Sequence, residues 1–349
     1  MRYLQLIDSS GNLQLVDIDT EVRMAIGEPL DPEGDANVIA GTWSFEGQWT
    51  AWSIDSPDMD GARQIRLHDE HTDSAAVLAE AVTAFYMCPS PDGRFLSHLS
   101  PGPLGLELAV TEIVSGDTRI IERGQPMFWS WSPDATQLAV HVGSRVLIAG
   151  IDGSQPHPLS LDADPFITPC WLPGGSVAYA AAGGIVSSGL DTSVTTLIER
   201  TSGRFSIDPD GRRLAHLTVV DNRAALVVHD LLTGETSEIT SEPVGAFFWS
   251  TQGQLAALVA AAADHVRWLV ADGAEVVALP PFRPGAMWSQ TVLSFFEQYA
   301  QSHACWSPDG KHLVAPAVDE QGHAGAWVHE VARPHQAQWV PDGVMVWWA

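Results

Sequence analysis

Lysine is almost missing from this chain: Lys311 is the only one, beside 16 arginines. Against these 17 cations stand 43 Asp and Glu, which leaves a formal net charge of −26. Such a surface repels phosphate backbones and excludes nucleic acid as an expected partner. It solubilises the protein, and as a docking face it suits a basic protein or peptide. Cysteine is scarce too, with only Cys88, Cys170 and Cys305. Each stands three residues before a proline (Pro91, Pro173, Pro308), so each fills the same place in its own repeat. Equivalent places in separate repeats are too far apart for a disulfide. The expectation is small buried thiols in a reducing compartment, with no metal bound between them. Long apolar runs are absent as well. The stretch from Leu255 to Ala263 is ended by Asp264, far short of the residues needed to cross a bilayer. Met1-Arg2-Tyr3-Leu4-Gln5-Leu6 alternates like a strand and lacks the apolar core of a signal peptide, which predicts a cytoplasmic protein.

Catalytic signatures are equally thin. The chain carries no Gly-x-Ser-x-Gly elbow, no phosphate loop and no dinucleotide fingerprint. His68-Asp69-Glu70-His71 has the composition of a metal cluster but falls at a strand end, where it reads as a solvated turn. His216, His229 and His329 fall inside predicted strands and read as packing or hydrogen-bonding side chains. No catalytic residue, cofactor or metal is therefore expected.

What the chain does have is a repeat. Cys305-Trp306-Ser307-Pro308-Asp309-Gly310-Lys311-His312-Leu313-Val314 reads as strand, four-residue turn and strand. Pro presets φ, Asp can bond its own backbone, and Gly accepts positive φ. Close copies are Pro89-Ser90-Pro91-Asp92-Gly93, Trp131-Ser132-Pro133-Asp134 and Ile207-Asp208-Pro209-Asp210-Gly211. Weaker ones begin at Trp43, Trp171, Trp249 and Trp339. Taking Glu46, Asp92, Asp134, Gly174, Asp210, Gln252, Asp309 and Asp342 as markers, the spacings are 46, 42, 40, 36, 42, 57 and 33 residues. A period near 40 with short strands is the signature of β-propeller blades.

The Trp-Ser-Pro-Asp-Gly-x-x-Leu-(Ala/Val) unit resembles the blade repeat of TolB-type, WD-like β-propellers, and the resemblance covers nearly the whole chain. It implies an all-β fold. It implies little about function, because such blades also occur in scaffolds, periplasmic proteins and the gating domains of peptidases.

We expect one β-propeller domain over residues 1–349 with eight four-stranded blades, seven being the alternative. Strands within 1–36 and 337–349 precede and follow the complete repeats, and a ring needs its ends paired. The economical solution is a composite closing blade, with inner strands from 337–349 and outer strands from 1–36. The turn tryptophans Trp43, Trp131, Trp171, Trp249, Trp306 and Trp339 share one register and should fill the wedge between adjacent blades.

One interruption stands out. The 57-residue spacing contains an insert, 283–303, before the penultimate blade. Ser289 is positioned to cap a helix whose apolar stripe is Val292, Leu293, Phe296, Tyr299 and Ala300, with Phe295 and Gln298 pointing elsewhere. As a connection between blades it should lie on the face opposite the Asp-Gly turns. Trp288, Phe295, Glu297, Tyr299 and His303 are the candidate partner-binding residues. The expected function is a non-catalytic interaction or scaffold propeller that binds a protein or peptide on that face. The alternative is a lactonase-like or glycosidase-like propeller hydrolase, with a metal or carboxylates at the channel mouth.

Overall fold

The computed structural model describes residues 2–26, 37–43, 48–56, 62–69, 74–80, 82–103, 105–191 and 193–349. The turn Ser44-Phe45-Glu46-Gly47, the side chain of Trp43, the 57–61 connector, and Glu70 and His71 lie outside the described residues. The strands form eight four-stranded antiparallel sheets, and the fold is an eight-bladed β-propeller. Blades one to seven follow chain order at 37–80, 86–124, 127–160, 170–198, 205–240, 244–278 and 283–341. The eighth sheet has the order Arg23–Ala25, Leu13–Asp17, Tyr3–Asp8, Gly343–Trp348.

The eighth blade is composite, but its division differs from expectation. Only Gly343–Trp348 comes from the C-terminal side; Ala337–Pro341 is the outer strand of blade seven. The pairing of Trp327 with Trp339 accounts for this, since their rings lie 5.0 Å apart and fix the outer strand on its neighbour. Trp339 is therefore not an inner-strand wedge residue. Its apparent turn motif is a sharp passage between two sheets, with Asp342 at φ +63°.

The Ser-Pro-Asp-Gly turn works as its chemistry dictates. The Ser132 carbonyl accepts the Ala135 N–H at 2.9 Å, and its hydroxyl accepts the Gln137 N–H at 2.9 Å. The same hydroxyl donates to Asp134 at 2.7 Å. Ser90 and Ser307 repeat the arrangement with Asp92 and Asp309. Each turn therefore satisfies its own polar groups and can sit against a neighbour. Gly211 and Gly310 adopt φ +69°. A Cβ on Gly211 would collide with Pro173 of the preceding blade's turn, and one on Gly310 would lie 2.8 Å from Gln252 Cγ.

The chain divides into two compact units, residues 1–161 with 349, and residues 162–348. In the first, Trp49, Ala51, Ile65, Ala84, Met87 and Leu96 form a core between blades one and two. Trp131 reaches back from blade three to Ser97 Oγ at 3.0 Å in blade two. In the second, Ile167, Ala178, Ile185, Phe205 and Leu214 form the corresponding core between blades four and five. Trp249 donates back to Ser206 O at 3.4 Å, and Trp306 to Phe248 O at 2.9 Å. These three indoles occupy the wedge the repeat register predicts, and Trp171 is half-buried in blade four. Trp131, Trp249 and Trp306 each contribute a ring to packing and an N–H to a carbonyl or hydroxyl of the blade before.

Candidate functional site

The insert lies within the second unit, and its position corrects the expected one. Arg283–Pro284 already pairs with Val318 and Ala317 of blade seven before the insert begins. Afterwards Trp306 bridges to Leu313, and Val314 N–H donates to Cys305 O at 2.8 Å. Residues 285–304 therefore leave and rejoin a single inner strand; they do not connect two blades. Pro316 makes the gap tolerable. Its carbonyl accepts the Gly285 N–H at 3.0 Å, so its polar edge faces the interrupted strand, yet it has no N–H to be left without a partner there. A proline inside a strand marks an edge or a bulge, and this was the signal in the sequence for the interruption.

The insert folds as α1 (Ala286–Thr291), a 3-10 turn (Leu293–Phe295) and α2 (Phe296–Tyr299). Ser289 does not cap it. The N-cap is Gly285, and the Ser289 hydroxyl donates back to the Gly285 carbonyl at 2.9 Å. Stopping and restarting the helix turns side chains in more directions than one continuous stripe allows.

The turning brings the candidate residues to different fates. Trp288 is buried edge-on to Trp268 of blade six, with ring centroids 6.2 Å apart. Phe296 packs on Phe247 at 4.7 Å and Phe248 at 5.7 Å, in the inner strand of that blade. Tyr299 is buried against His303 at 5.1 Å, and His303 in turn lies 4.5 Å from Trp347. Glu297, expected among residues open to a partner, has a side chain only 4% exposed and pairs with Arg204 before blade five. Arg204 also sits over the Phe296 ring at 4.5 Å and donates to Ser294 O at 3.2 Å. Gln298, expected outside the stripe, is buried beside Thr168, before blade four, at 3.5 Å. Of the five candidates, Phe295 alone is exposed, at 40%. Met287, which the sequence did not single out, is exposed at 50% on the same segment.

Electrostatics make this underside chemically quiet. Burial lowers the His303 pKa to about 3, so the imidazole stays neutral at pH 7. Burial raises the Tyr299 phenol to about 12. The Cys170 thiol is also raised to about 12, first by burial and then by the negative charge of Glu297. Cys88 and Cys305 are raised to about 12 by burial, and none of the three cysteines is in a disulfide. Thiols held protonated are poor nucleophiles and poor metal ligands. Among the described residues, no group of three His, Cys, Asp or Glu side chains is arranged to hold a metal ion. His68 and Asp69 lie at the end of the strand Ala62–Asp69. His216, His229 and His329 lie in strands, as expected.

No family model and no curated protein matches this sequence. Solved structures do match. The dihydro-heme d1 dehydrogenase NirN, in complex with DHE, superposes with a TM-score of 0.64 at 14% identity, covering 98% of this chain and 73% of that one. Oligogalacturonate lyase from Vibrio parahaemolyticus gives 0.58 at 16%, covering 90% and 95%. The β-propeller domain of the Trilobed protease from Pyrococcus furiosus gives 0.52 at 14%, covering 88% and 94%. At these identities the similarity is one of fold, and the propeller is a frame that hosts many functions. No helix among the described residues is long and apolar enough to cross a membrane.

Proposed function

We propose that this protein is a non-catalytic interaction propeller of the TolB-like class, which recognises a basic protein or peptide through the exposed side of the insert. The observation that carries the reading is the two-sided build of residues 285–304. One side is locked by Trp288, Phe296, Glu297 and Tyr299, while Met287 and Phe295 stand in solvent at 50% and 40% exposure. Exposed Met and Phe on an anchored segment suit partner binding, because the backbone is already ordered and association costs chiefly side-chain freedom. The net charge of −26 favours a basic partner and speeds its encounter. Three cysteines outside any disulfide suit a cytoplasmic setting.

The test compares wild type with Met287→Ser/Phe295→Ser as immobilised baits. A basic protein identified in the wild-type eluate and lost from the variant, at unchanged melting temperature, supports the reading. Equal capture by both overturns the assignment of the surface. Turnover of a sugar lactone or oligosaccharide by the purified protein, with or without added divalent metal, overturns the non-catalytic reading itself.

A further inference from the structure

A second site lies at the other end of the strands. Blades five and six flank a half-open cavity of ≈ 170 Å³ near their turns, whose apolar lining is Val228, Ile239, Leu255 and Ala271. Trp249 forms one wall, and Asp230 and Glu235 stand at the mouth with Arg213. The volume is below the roughly 300 Å³ at which small-molecule pockets begin, and it suits a single side chain.

The site arises where the blade repeat departs from its own pattern. Blade five carries Asp208 at the place held by Ser90, Ser132 and Ser307 in the other strong copies. One Asp208 oxygen does the serine's work, accepting the N–H groups of Arg212 and Arg213 at 2.8 and 3.0 Å. The other takes Arg213 Nε at 2.8 Å. Arg213 is thereby held over the Trp249 ring at 4.8 Å, and it also donates to Gly253 O at 2.7 Å. Its charge is neutralised by Asp208, so it forms part of the wall. Asp230 is kept below the usual carboxylate range, chiefly by the Thr233 N–H, and its second oxygen pairs with Arg212. Glu235 is exposed and, among the described residues, makes no ion pair. Three carboxylates against two guanidiniums leave the mouth of a cavity lined by both polar and apolar groups one negative charge in excess.

We propose that this cavity takes one basic side chain, lysine or arginine, from a partner polypeptide. The aliphatic stem packs on Trp249, Val228, Ile239, Leu255 and Ala271, while the cationic head reaches Glu235, with Asp230 beside it. The site is separate from the Met287 and Phe295 surface, and variants there leave it unchanged. Its failure would therefore not touch the interaction reading of the insert.

The experiment uses the full chain labelled with 5-fluorotryptophan, the Trp249 ¹⁹F signal being assigned by its loss in Trp249→Phe. Four pentapeptides in an alanine frame are titrated: three capped at both ends with a central lysine, arginine or norleucine, and one capped only at its C-terminus, so that its one positive charge is the free α-amino group. We expect the Trp249 signal to move saturably with the lysine or arginine peptide and with neither of the others. Glu235→Gln, an exposed and conservative change, should weaken binding by about two- to five-fold. Ser237→Trp, which fills the cavity from an exposed strand position, should abolish the shift. An equal shift with norleucine would make the cavity a purely apolar socket. An equal shift with the free amine would reduce the effect to the protein's overall charge. Either result, or no shift with any peptide, overturns the proposal.

Discussion

Arg204 holds Glu297 through two hydrogen bonds, Nε to Oε1 at 2.7 Å and a terminal nitrogen to Oε2 at 2.9 Å. The pair joins positions 93 residues apart and pins the insert to the segment entering blade five. The carboxylate is buried while the guanidinium is 31% exposed. Removing the guanidinium strands a charge in the interior, whereas neutralising the carboxylate leaves a partly solvated cation. Arg204→Ala should therefore cost about 2–4 kcal/mol in urea denaturation, and Glu297→Gln clearly less. Equal losses would show that the carboxylate is better solvated than its burial implies.

Gly211 and Gly310 test the turns. Both adopt φ +69°, where a β-branched residue is strained by about 1–3 kcal/mol. At Gly211 a new Cβ also meets the ring of Pro173, a rigid neighbour, while at Gly310 it meets the flexible Gln252. Gly211→Val should accordingly lower the melting temperature more than Gly310→Val. The reverse order would show that the contact between turns is soft.

The C-terminal strand tests the composite blade. Gly343–Trp348 pairs beside Tyr3–Asp8, and Trp347 and Trp348 are 1% and 4% exposed. Deleting 343–349 should abolish cooperative unfolding, because a sheet loses its innermost strand along with two buried indoles, each worth about 3–5 kcal/mol. Trp339→Ser, in the outer strand of blade seven, should leave the transition cooperative. Similar melting curves for the deletion and the full chain would sink the pairing.

Acid sensitivity follows from the buried histidines. Burial lowers His98, His216 and His329 to about 4 and His303 to about 3, against 6.5 for an unperturbed imidazole. Between those values the unfolded chain binds protons that the folded chain refuses. Stability is therefore full above about pH 6.5 and falls as the pH drops toward 4, by on the order of 3 kcal/mol for His98 alone. Asp134 and Asp309, whose pKa values lie below 3.8, lose their contribution only at still lower pH. Melting curves from pH 7 to 4 should show a steep decline that His303→Phe makes shallower. A flat profile would mean that the imidazoles are solvated.

The sequence alone determined the blades. A Ser-Pro-Asp-Gly turn is built from bonds that span two to five residues, as between Ser132, Asp134 and Gln137, so local chemistry suffices and its recurrence counts the repeats. Trp131, Trp249 and Trp306 were legible for the same reason, because a fixed register beside the turn leaves the ring only the wedge to fill, whereas Trp339 carried the same motif into an outer strand. What the sequence could not decide was direction. Glu297 looks like a surface residue on a short helix until Arg204, 93 residues away, is brought beneath it. Gln298 is drawn inward by Thr168, 130 residues distant. The division of 337–349 between two blades turned on Trp327 meeting Trp339, and the cavity at Trp249 on a strand of blade five lying against blade six. Periodicity within a segment fixes its secondary structure, but the side that is buried depends on which distant neighbours the fold supplies, and only the tertiary structure holds that information.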